Sequence, residues 1–232
     1  MSLLFTPAEP VLAPTSTGDD YPVRRVICVG RNYAAHAREM GRDPDREPPF
    51  FFTAWAETVV PDGTTIAYPQ QTADFHYEAE LVVAIGKAGR DIAVEDALDH
   101  VWGYAAGLDM TRRDLQLAAR AQGRPWDTGK NVEQSSPLGL IQKAGEGDFD
   151  PTKGAIKLTV NGEVKQDADL ADLIWPVADI VAFASSLWKL EPGDLIYTGT
   201  PAGVGAVVEG DEMVVTIAGL KPLAITVGPK AA

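Results

Sequence analysis

The sequence is poor in the residues that build disulfides and thiolate or imidazole metal sites. Its 232 residues include one cysteine, Cys28, and three histidines. A single cysteine excludes an internal disulfide and a thiolate metal cage. No apolar run reaches the roughly 18 residues that a membrane span requires, and the amino terminus has no basic segment followed by an apolar stretch. We therefore expect a cytoplasmic protein with no membrane partner.

Positive charge is also scarce, since 20 lysines and arginines face 33 aspartates and glutamates, which gives a net charge of −13. So acidic a chain has little long-range attraction for phosphate backbones, and we expect no nucleic-acid partner. Apolar residues make up 45% of the chain, which is enough for a substantial core. The 22 glycines and 17 prolines indicate many turns, and hence short strands rather than a helical bundle.

The order of predicted elements is that of an α+β, strand-dominated fold with a few short helices. Residues 1–22 are predicted to form a proline-rich arm, and residues 23–232 a single domain. The pair Asn161-Gly162 between two alternating stretches predicts a two-residue hairpin. Pro176 precedes the clearest helical periodicity. Thr111, with Asp114 three residues later, predicts a capped helix start.

Three acids lie where predicted apolar strands begin or end. Because side chains alternate along a strand, Glu78 and Glu80 should point to the same face, roughly 7 Å apart along the backbone. Asp109 ends another apolar strand and is the best third ligand. Such oxygen ligands suit Mg²⁺ or Mn²⁺, which would also relieve the repulsion between partly buried like charges. Spacing alone leaves a second interpretation open, in which the glutamates form salt bridges to Arg or Lys on a neighbouring strand.

Two of the histidines lie near candidate acids. His36 and Glu39 are three residues apart on a predicted short helix that ends at Gly41, so they share a face. A glutamate bonded to one imidazole nitrogen would leave the other as a base near neutral pH, although an ordinary surface pair has the same spacing. His76 comes just before the acidic pair and could support that site. His100 ends a predicted helix, where we expect it in solvent, interacting with the helix dipole.

The glycine-rich stretch TGTPAGVG (198–205) is not predicted to bind a dinucleotide, because the residues after it alternate like a strand and begin no helix. Its glycines would let the backbone approach a small ligand, with Thr198 or Thr200 offering a hydroxyl. A tight turn without a ligand fits the same letters equally well.

Six segments, taken in order, carry a resemblance that covers about residues 23–227. They are GRNYAAHAREMG (30–41), EAELVVAIGK (78–87), GYAAGLDMTRRDLQ (103–116), RPWDTGK (124–130), VNGE (160–163) and GDLIYTGTPAGVG (193–205). In this order they resemble the fumarylacetoacetate hydrolase family. RPWDTGK followed by EQS, together with the proline-rich N-terminal arm, resembles its fumarylpyruvate/acylpyruvate hydrolase subgroup. The resemblance implies a mixed β-roll of the type found in that family's C-terminal domain. It also implies a homodimer, one Mg²⁺ or Mn²⁺ per chain, and a catalytic role for residues 23–232.

The resemblance further implies roles for individual positions. Those that match the metal ligands are Glu78, Glu80 and Asp109. His36 and Glu39 match a pair that activates water, and Lys130 matches a lysine that assists at the substrate carbonyl. Positions that match residues close to the substrate are Arg113, Gln116 and Thr200.

The chain departs from the family pattern at two places. Many members have Lys-Pro where this chain has Ala54-Trp55, and many relatives with the RPWDTGK pattern have a histidine at Tyr77. Loss of a lysine at position 54 would remove a cation, so we expect weaker selection for a distal carboxylate on the substrate.

The activity implied by the resemblance is metal-dependent hydrolysis of a C–C bond in an acylpyruvate (a 2,4-diketo acid), with fumarylpyruvate cleaved to fumarate and pyruvate as the leading expectation. Decarboxylation of oxaloacetate, or keto–enol isomerisation, would use the same chemistry. A non-catalytic protein that binds small keto acids through a metal is the alternative from another class. Ala54-Trp55 favours that last alternative, whereas the intact His36, Glu39 and Lys130 set argues against it.

Overall fold

The computed structural model of this chain describes residues 3–35 and 48–231. Short strands dominate the described part, with three α-helices and three 3₁₀ helices between them, so the predicted strand-dominated α+β fold is confirmed. No helix within these residues has the length and apolarity needed to cross a membrane.

The described elements are numbered here in chain order. The strands are β1 (Leu12–Pro14), β2 (Asp20–Pro22), β3 (Arg25–Gly30), β4 (Phe50–Ala54), β5 (Val59–Pro61), β6 (Thr65–Tyr68), β7 (Phe75–Tyr77), β8 (Ala79–Ile85), β9 (Val101–Leu108), β10 (Thr111–Arg112), β11 (Ser136–Leu138), β12 (Gln142–Lys143), β13 (Ala155–Val160), β14 (Glu163–Asp169), β15 (Asp194–Tyr197), β16 (Gly205–Val207), β17 (Glu212–Ile217) and β18 (Leu223–Lys230). The α-helices are α1 (Arg113–Ala121), α2 (Asp127–Lys130) and α3 (Val177–Leu187), and the 3₁₀ helices are Ala56–Thr58, Val94–His100 and Leu170–Asp172.

The largest sheet is mixed and has eight strands in the order β4-β3-β15-β8-β9-β11-β5, with β12 also paired to β9. Its central strand β8 is buried along its whole length, because both faces of the sheet are covered, and it is apolar except for Glu80. Leu81 and Val83 point into one apolar cluster, whereas Val82 and Ala84 point into a second cluster on the opposite face. This alternation fixes which residues of the strand can reach the site at its amino-terminal end.

A second sheet of five strands, in the order β14-β13-β17-β18-β6, covers one of these faces. Ile156 and Leu158 from β13 and Met213 and Val215 from β17 belong to the same buried cluster as Leu81 of the large sheet. Helix α3 adds Ile180 and Val181. A three-stranded sheet has the order β10-β7-β16. Its middle strand β7 directly precedes β8 in the chain, and its edge strand β10 leads directly into α1.

Two local predictions are confirmed. β13 and β14 form an antiparallel hairpin through Asn161 and Gly162, whose φ angles of 52° and 81° are left-handed, as a type I′ turn requires. Helix α3 begins at Val177, directly after Pro176.

Two other local predictions are wrong. Thr111 does not cap a helix, because Thr111 and Arg112 pair as a strand with β7 and α1 begins only at Arg113. Asp114 accepts hydrogen bonds from the Thr72 hydroxyl and the Ala73 N–H. His100 is buried rather than solvated, and its Nδ1 lies 2.9 Å from the Lys87 carbonyl oxygen.

Candidate active site

Three buried carboxylates converge at the paired ends of β8 and β9. The Asp109 N–H donates to the Glu78 carbonyl at 2.9 Å, which places these two residues opposite each other. Glu80 pairs with Gly107, so it projects from the same face of the sheet as Glu78 and Asp109. One oxygen from each of the three side chains lies within 4.8 Å of the others. The predicted juxtaposition of these acids is therefore present in the fold.

Two cations contact this cluster from the helices above the sheet. Lys130, the last residue of α2, donates from Nζ to Glu78 Oε2 at 2.7 Å and to Asp109 Oδ2 at 2.6 Å. Arg113, the first residue of α1, donates to the other oxygen of Glu78. The open alternative of salt bridges thus holds for Glu78 and Asp109, although the cations come from helices rather than from a neighbouring strand.

Glu80 is left without a cation. Within the described residues it has no salt bridge, and it accepts the backbone N–H of Gly199 at 2.7 Å. Burial raises the pKa of Glu80 well above its ordinary value, and the charges of Asp109 and Glu78 raise it further. Burial also raises the pKa of Asp109 to about 6, although Lys130 opposes that shift.

The chemistry of this donor set fits a hard divalent cation. With all three carboxylates ionised, they face two cations, Arg113 and Lys130, among the described residues, which leaves one negative charge in a buried site. Burial lowers the pKa of Lys130, but the carboxylates of Asp109 and Glu78 outweigh it and raise that pKa above its ordinary value. Lys130 is therefore a fixed positive charge and hydrogen-bond donor rather than a base. Glu78, Glu80 and Asp109 together could hold a metal ion.

The acids and cations line one cavity of about 140 Å³. The predicted substrate-contact residues Arg113, Gln116 and Thr200 lie on its wall, so the fold brings them together with Lys130 and the acids. Lining residues that the sequence analysis did not identify are Val29, Gly30, Arg31, Phe50, Phe52, Arg120 and Trp126. Of these, Arg120 lies seven residues after Arg113 on α1, a spacing from which helical periodicity could have found it.

Gln166, from the distant hairpin strand β14, fixes the loop that carries Thr200. Its Nε2 donates to Thr200 Oγ1 and to the Pro201 carbonyl, each at 2.8 Å. Its Oε1 accepts the N–H of Ala79, between the two glutamates, at 3.0 Å. Because the amide donates to the Thr200 oxygen, the hydroxyl proton of Thr200 is available to an acceptor in the cavity. No local sequence signal connects residue 166 to this loop.

Four of the predicted positions are not seen among the residues that line this cavity. His36 and Glu39 fall in residues 36–47, outside the described part of the chain. His76 was expected to support the acid cluster. Its Nε2 instead lies 2.7 Å from Asp74 Oδ1. Ala54 is buried in the apolar layer with Val26 and Cys28, outside the cavity, so the expectation that residue 54 tunes selection for a distal carboxylate has no geometric support.

Comparison with known proteins agrees with this architecture. The model of the fumarylacetoacetate (FAA) hydrolase C-terminal family matches residues 25–228. The chain therefore belongs to the fumarylacetoacetate hydrolase family, as the sequence motifs predicted.

Individual relatives include proteins named for hydrolysis and for tautomerisation. The chain is 50% identical over 192 residues to a fumarylpyruvate hydrolase of a Ralstonia species, covering 82% of this chain and 99% of that protein. It is 39% identical over 201 residues to an oxaloacetate tautomerase of Escherichia coli (strain K12), covering 86% and 91%. The crystal structure of fumarylpyruvate hydrolase from Pseudomonas aeruginosa in complex with Mn²⁺ and pyruvate matches with a TM-score of 0.95 and 52% identity, covering 99% of this chain and 100% of that one.

Glu80→Gln should weaken Mn²⁺ binding by about 100-fold or more, because it neutralises the carboxylate that has no protein cation; loss of a supporting residue alone typically costs 10–100-fold. Calorimetric titration of Mn²⁺ into the variant measures this. Glu95→Gln, at an exposed position of a 3₁₀ helix, is the matched control and should bind Mn²⁺ like the unmodified protein. Unchanged affinity in Glu80→Gln would refute the ligand assignment.

Gly199→Ala should lower Mn²⁺ affinity by roughly 10-fold, because it disturbs the N–H that holds Glu80. The φ angle of Gly199 is +97°, and an added Cβ would lie 2.7 Å from the Cβ of Asn32. Gly63→Ala is the control, with a φ of +76° but open space around the added methyl. Backbone strain should cost both variants about 1–2 kcal/mol of stability, the contact with Asn32 should cost Gly199→Ala more, and only Gly199→Ala should lose metal affinity. Equal affinities in the two variants would contradict the role given to Gly199.

Proposed function

We propose that this protein is a metal-dependent hydrolase of acylpyruvates, with fumarylpyruvate as substrate and fumarate and pyruvate as products. The observation that carries the proposal is the convergence of three buried carboxylates and Lys130 on one cavity wall. The similarity to two fumarylpyruvate hydrolases over nearly the full length of each supports the choice of substrate.

Glu78, Glu80 and Asp109 would hold Mg²⁺ or Mn²⁺. The ion supplies, when bound, positive charge that favours departure of the pyruvate part of the substrate as an enolate. The cluster carries one uncompensated negative charge without the ion, so a divalent cation would turn the local charge to plus one. That sign suits an anionic keto acid entering a chain whose overall charge is −13.

Lys130 is assigned to the carbonyl that water attacks. Its amine is protonated and held by two carboxylates, so it needs no reorganisation to donate a hydrogen bond to the developing oxyanion. The side-chain amide of Gln166 donates a hydrogen bond to Thr200 Oγ1. The Thr200 hydroxyl can therefore donate its own proton to a second substrate oxygen.

The base is assigned to His36, oriented by Glu39, on the sequence pattern described above. In this scheme His36 removes a proton from water, and the resulting hydroxide adds to the acyl carbonyl. The bond between that carbonyl carbon and the adjacent methylene then breaks. The acyl part leaves as a carboxylic acid, and the electron pair of the broken bond passes to the pyruvate enolate, which a proton converts to pyruvate.

A second candidate is tautomerisation or decarboxylation of oxaloacetate, favoured by the 39% identity to an oxaloacetate tautomerase. Both reactions pass through an enolate, and neither requires a water molecule activated for attack.

The homodimer implied by the family resemblance is also part of the proposal. Sedimentation at micromolar concentration would then give about twice the chain mass of 24.8 kDa.

With Mn²⁺ present, the purified protein should consume fumarylpyruvate, with loss of its ultraviolet absorbance and equal amounts of fumarate and pyruvate by chromatography. Lys130→Met should lower kcat by roughly 10²–10³-fold, the usual contribution of an oxyanion donor. Lys153→Met, at a surface lysine whose side chain is 73% exposed, is the control and should match the unmodified enzyme.

Absence of fumarylpyruvate turnover with either Mn²⁺ or Mg²⁺ would overturn the proposed hydrolysis. Turnover of oxaloacetate in the same preparations would then favour the second candidate. Binding of keto acids without turnover of any of them would instead favour a non-catalytic protein.

A further inference from the structure

Helix α1 presents a row of polar residues to the cavity. Arg113, Gln116 and Arg120 line it together, at the i, i+3 and i+7 positions that share one helix face. The helix rises about 1.5 Å per residue, so the Cα atoms of Arg113 and Arg120 are roughly 10 Å apart along its axis. Arg113 contacts Glu78, and Arg120 therefore lies two helical turns away from the acid cluster.

Arg120 differs from Arg113 and Lys130 in having no side-chain hydrogen-bond or salt-bridge partner among the described residues. Arg113 and Lys130 are both paired with the acid cluster. Arg120 makes no side-chain hydrogen bond or salt bridge to any residue in the ranges 3–35 and 48–231. The positions three and four residues away along the chain, Gln116, Leu117, Gly123 and Arg124, include no acid. In so acidic a chain, a half-buried guanidinium on a cavity wall is placed to receive an anion.

An aromatic wall lines the same cavity. The Lys130 Nζ lies 5.4 Å from the centre of the Phe52 ring, and Trp126 packs edge-on against Phe52 and Phe50 at 6.3 and 5.9 Å. The Trp126 indole N–H is buried and has no acceptor among the described residues. A flat, conjugated chain can pack against such a wall, whereas a bulky tetrahedral group fits it less well.

We propose that Arg120 binds the terminal carboxylate of the substrate's acyl arm, and that the site thereby selects 2,4-diketo acids whose arm is flat and ends in a carboxylate. The inference rests on the proposed function. An extended seven-carbon diacid separates its carboxyl carbons by about 7–8 Å, since each C–C bond of roughly 1.5 Å advances the chain by about 1.3 Å. That length is comparable with the offset between Arg113 and Arg120.

The kinetic test compares fumarylpyruvate with acetylpyruvate, whose acyl arm carries no charge. Arg120→Met should lower the ratio of the two kcat/KM values by roughly 10–50-fold, the range expected for a lost charge-assisted hydrogen bond. Arg120→Lys, which keeps the charge, should restore part of that ratio. Arg124→Met is the matched control, because Arg124 is exposed, lies four residues further on, and does not line the cavity. Its ratio should equal that of the unmodified enzyme.

An equilibrium test needs no turnover. Fumarate and crotonate share a trans double bond and one carboxylate, and differ only in a carboxylate against a methyl at the far end. With Mn²⁺ present, calorimetry should show fumarate binding about 10-fold more tightly than crotonate to the unmodified protein, and equally tightly to Arg120→Met.

The two tests separate the two proposals. Lack of turnover of both diketo acids, with the fumarate preference present and dependent on Arg120, would overturn the hydrolase and retain the carboxylate site. Turnover with an unchanged substrate ratio and an unchanged fumarate preference in Arg120→Met would overturn the role of Arg120 and retain the hydrolase.

Discussion

Mutual repulsion among three buried carboxylates is the constraint around which the site is organised. Glu78, Glu80 and Asp109 lie within 4.8 Å of one another on one face of the central sheet, where little water can screen them. The surrounding elements place partners beside these carboxylates. Helices α1 and α2 contribute Arg113 and Lys130, and the loop after β15 contributes the N–H of Gly199. Among the described residues, these contributions leave the three ionised carboxylates one positive charge short, which a divalent cation would more than supply.

The same arrangement explains how one family can host both hydrolysis and tautomerisation. A divalent ion held by the acid cluster, together with Lys130, would stabilise negative charge on a small keto acid, which hydrolysis, decarboxylation and enolisation all require. What distinguishes the reactions must lie in the other parts of the cavity. In this chain those parts include an aromatic wall and Arg120, which has no partner among the described residues, and we propose that they favour a longer, flat and doubly charged substrate over a four-carbon one.

The sequence predicted what depends on neighbours along the chain. Alternation placed Glu78 and Glu80 on one face, and the turn residues Asn161-Gly162 predicted their hairpin, because each depends on local geometry. Thr111 failed as a helix cap because pairing with β7, which is distant in sequence, holds it in an extended strand. The contacts of Lys130 with the acids, and the hydrogen bonds of Gln166, join segments about 20 to 90 residues apart and leave no periodic signal. Arg120 shares the helix face of Arg113, but only the fold shows that it has no partner in the part of the chain that the structure describes.

The position of the metal is the central claim, and anomalous diffraction from crystals grown with Mn²⁺ tests it most directly. Data collected on either side of the manganese absorption edge locate the ion independently of any assumption about its ligands. We predict one strong anomalous difference peak per chain, within coordination distance of carboxylate oxygens from Glu78, Glu80 and Asp109. A peak at another site, or no peak between these three residues in crystals that contain one equivalent of Mn²⁺, would contradict the account.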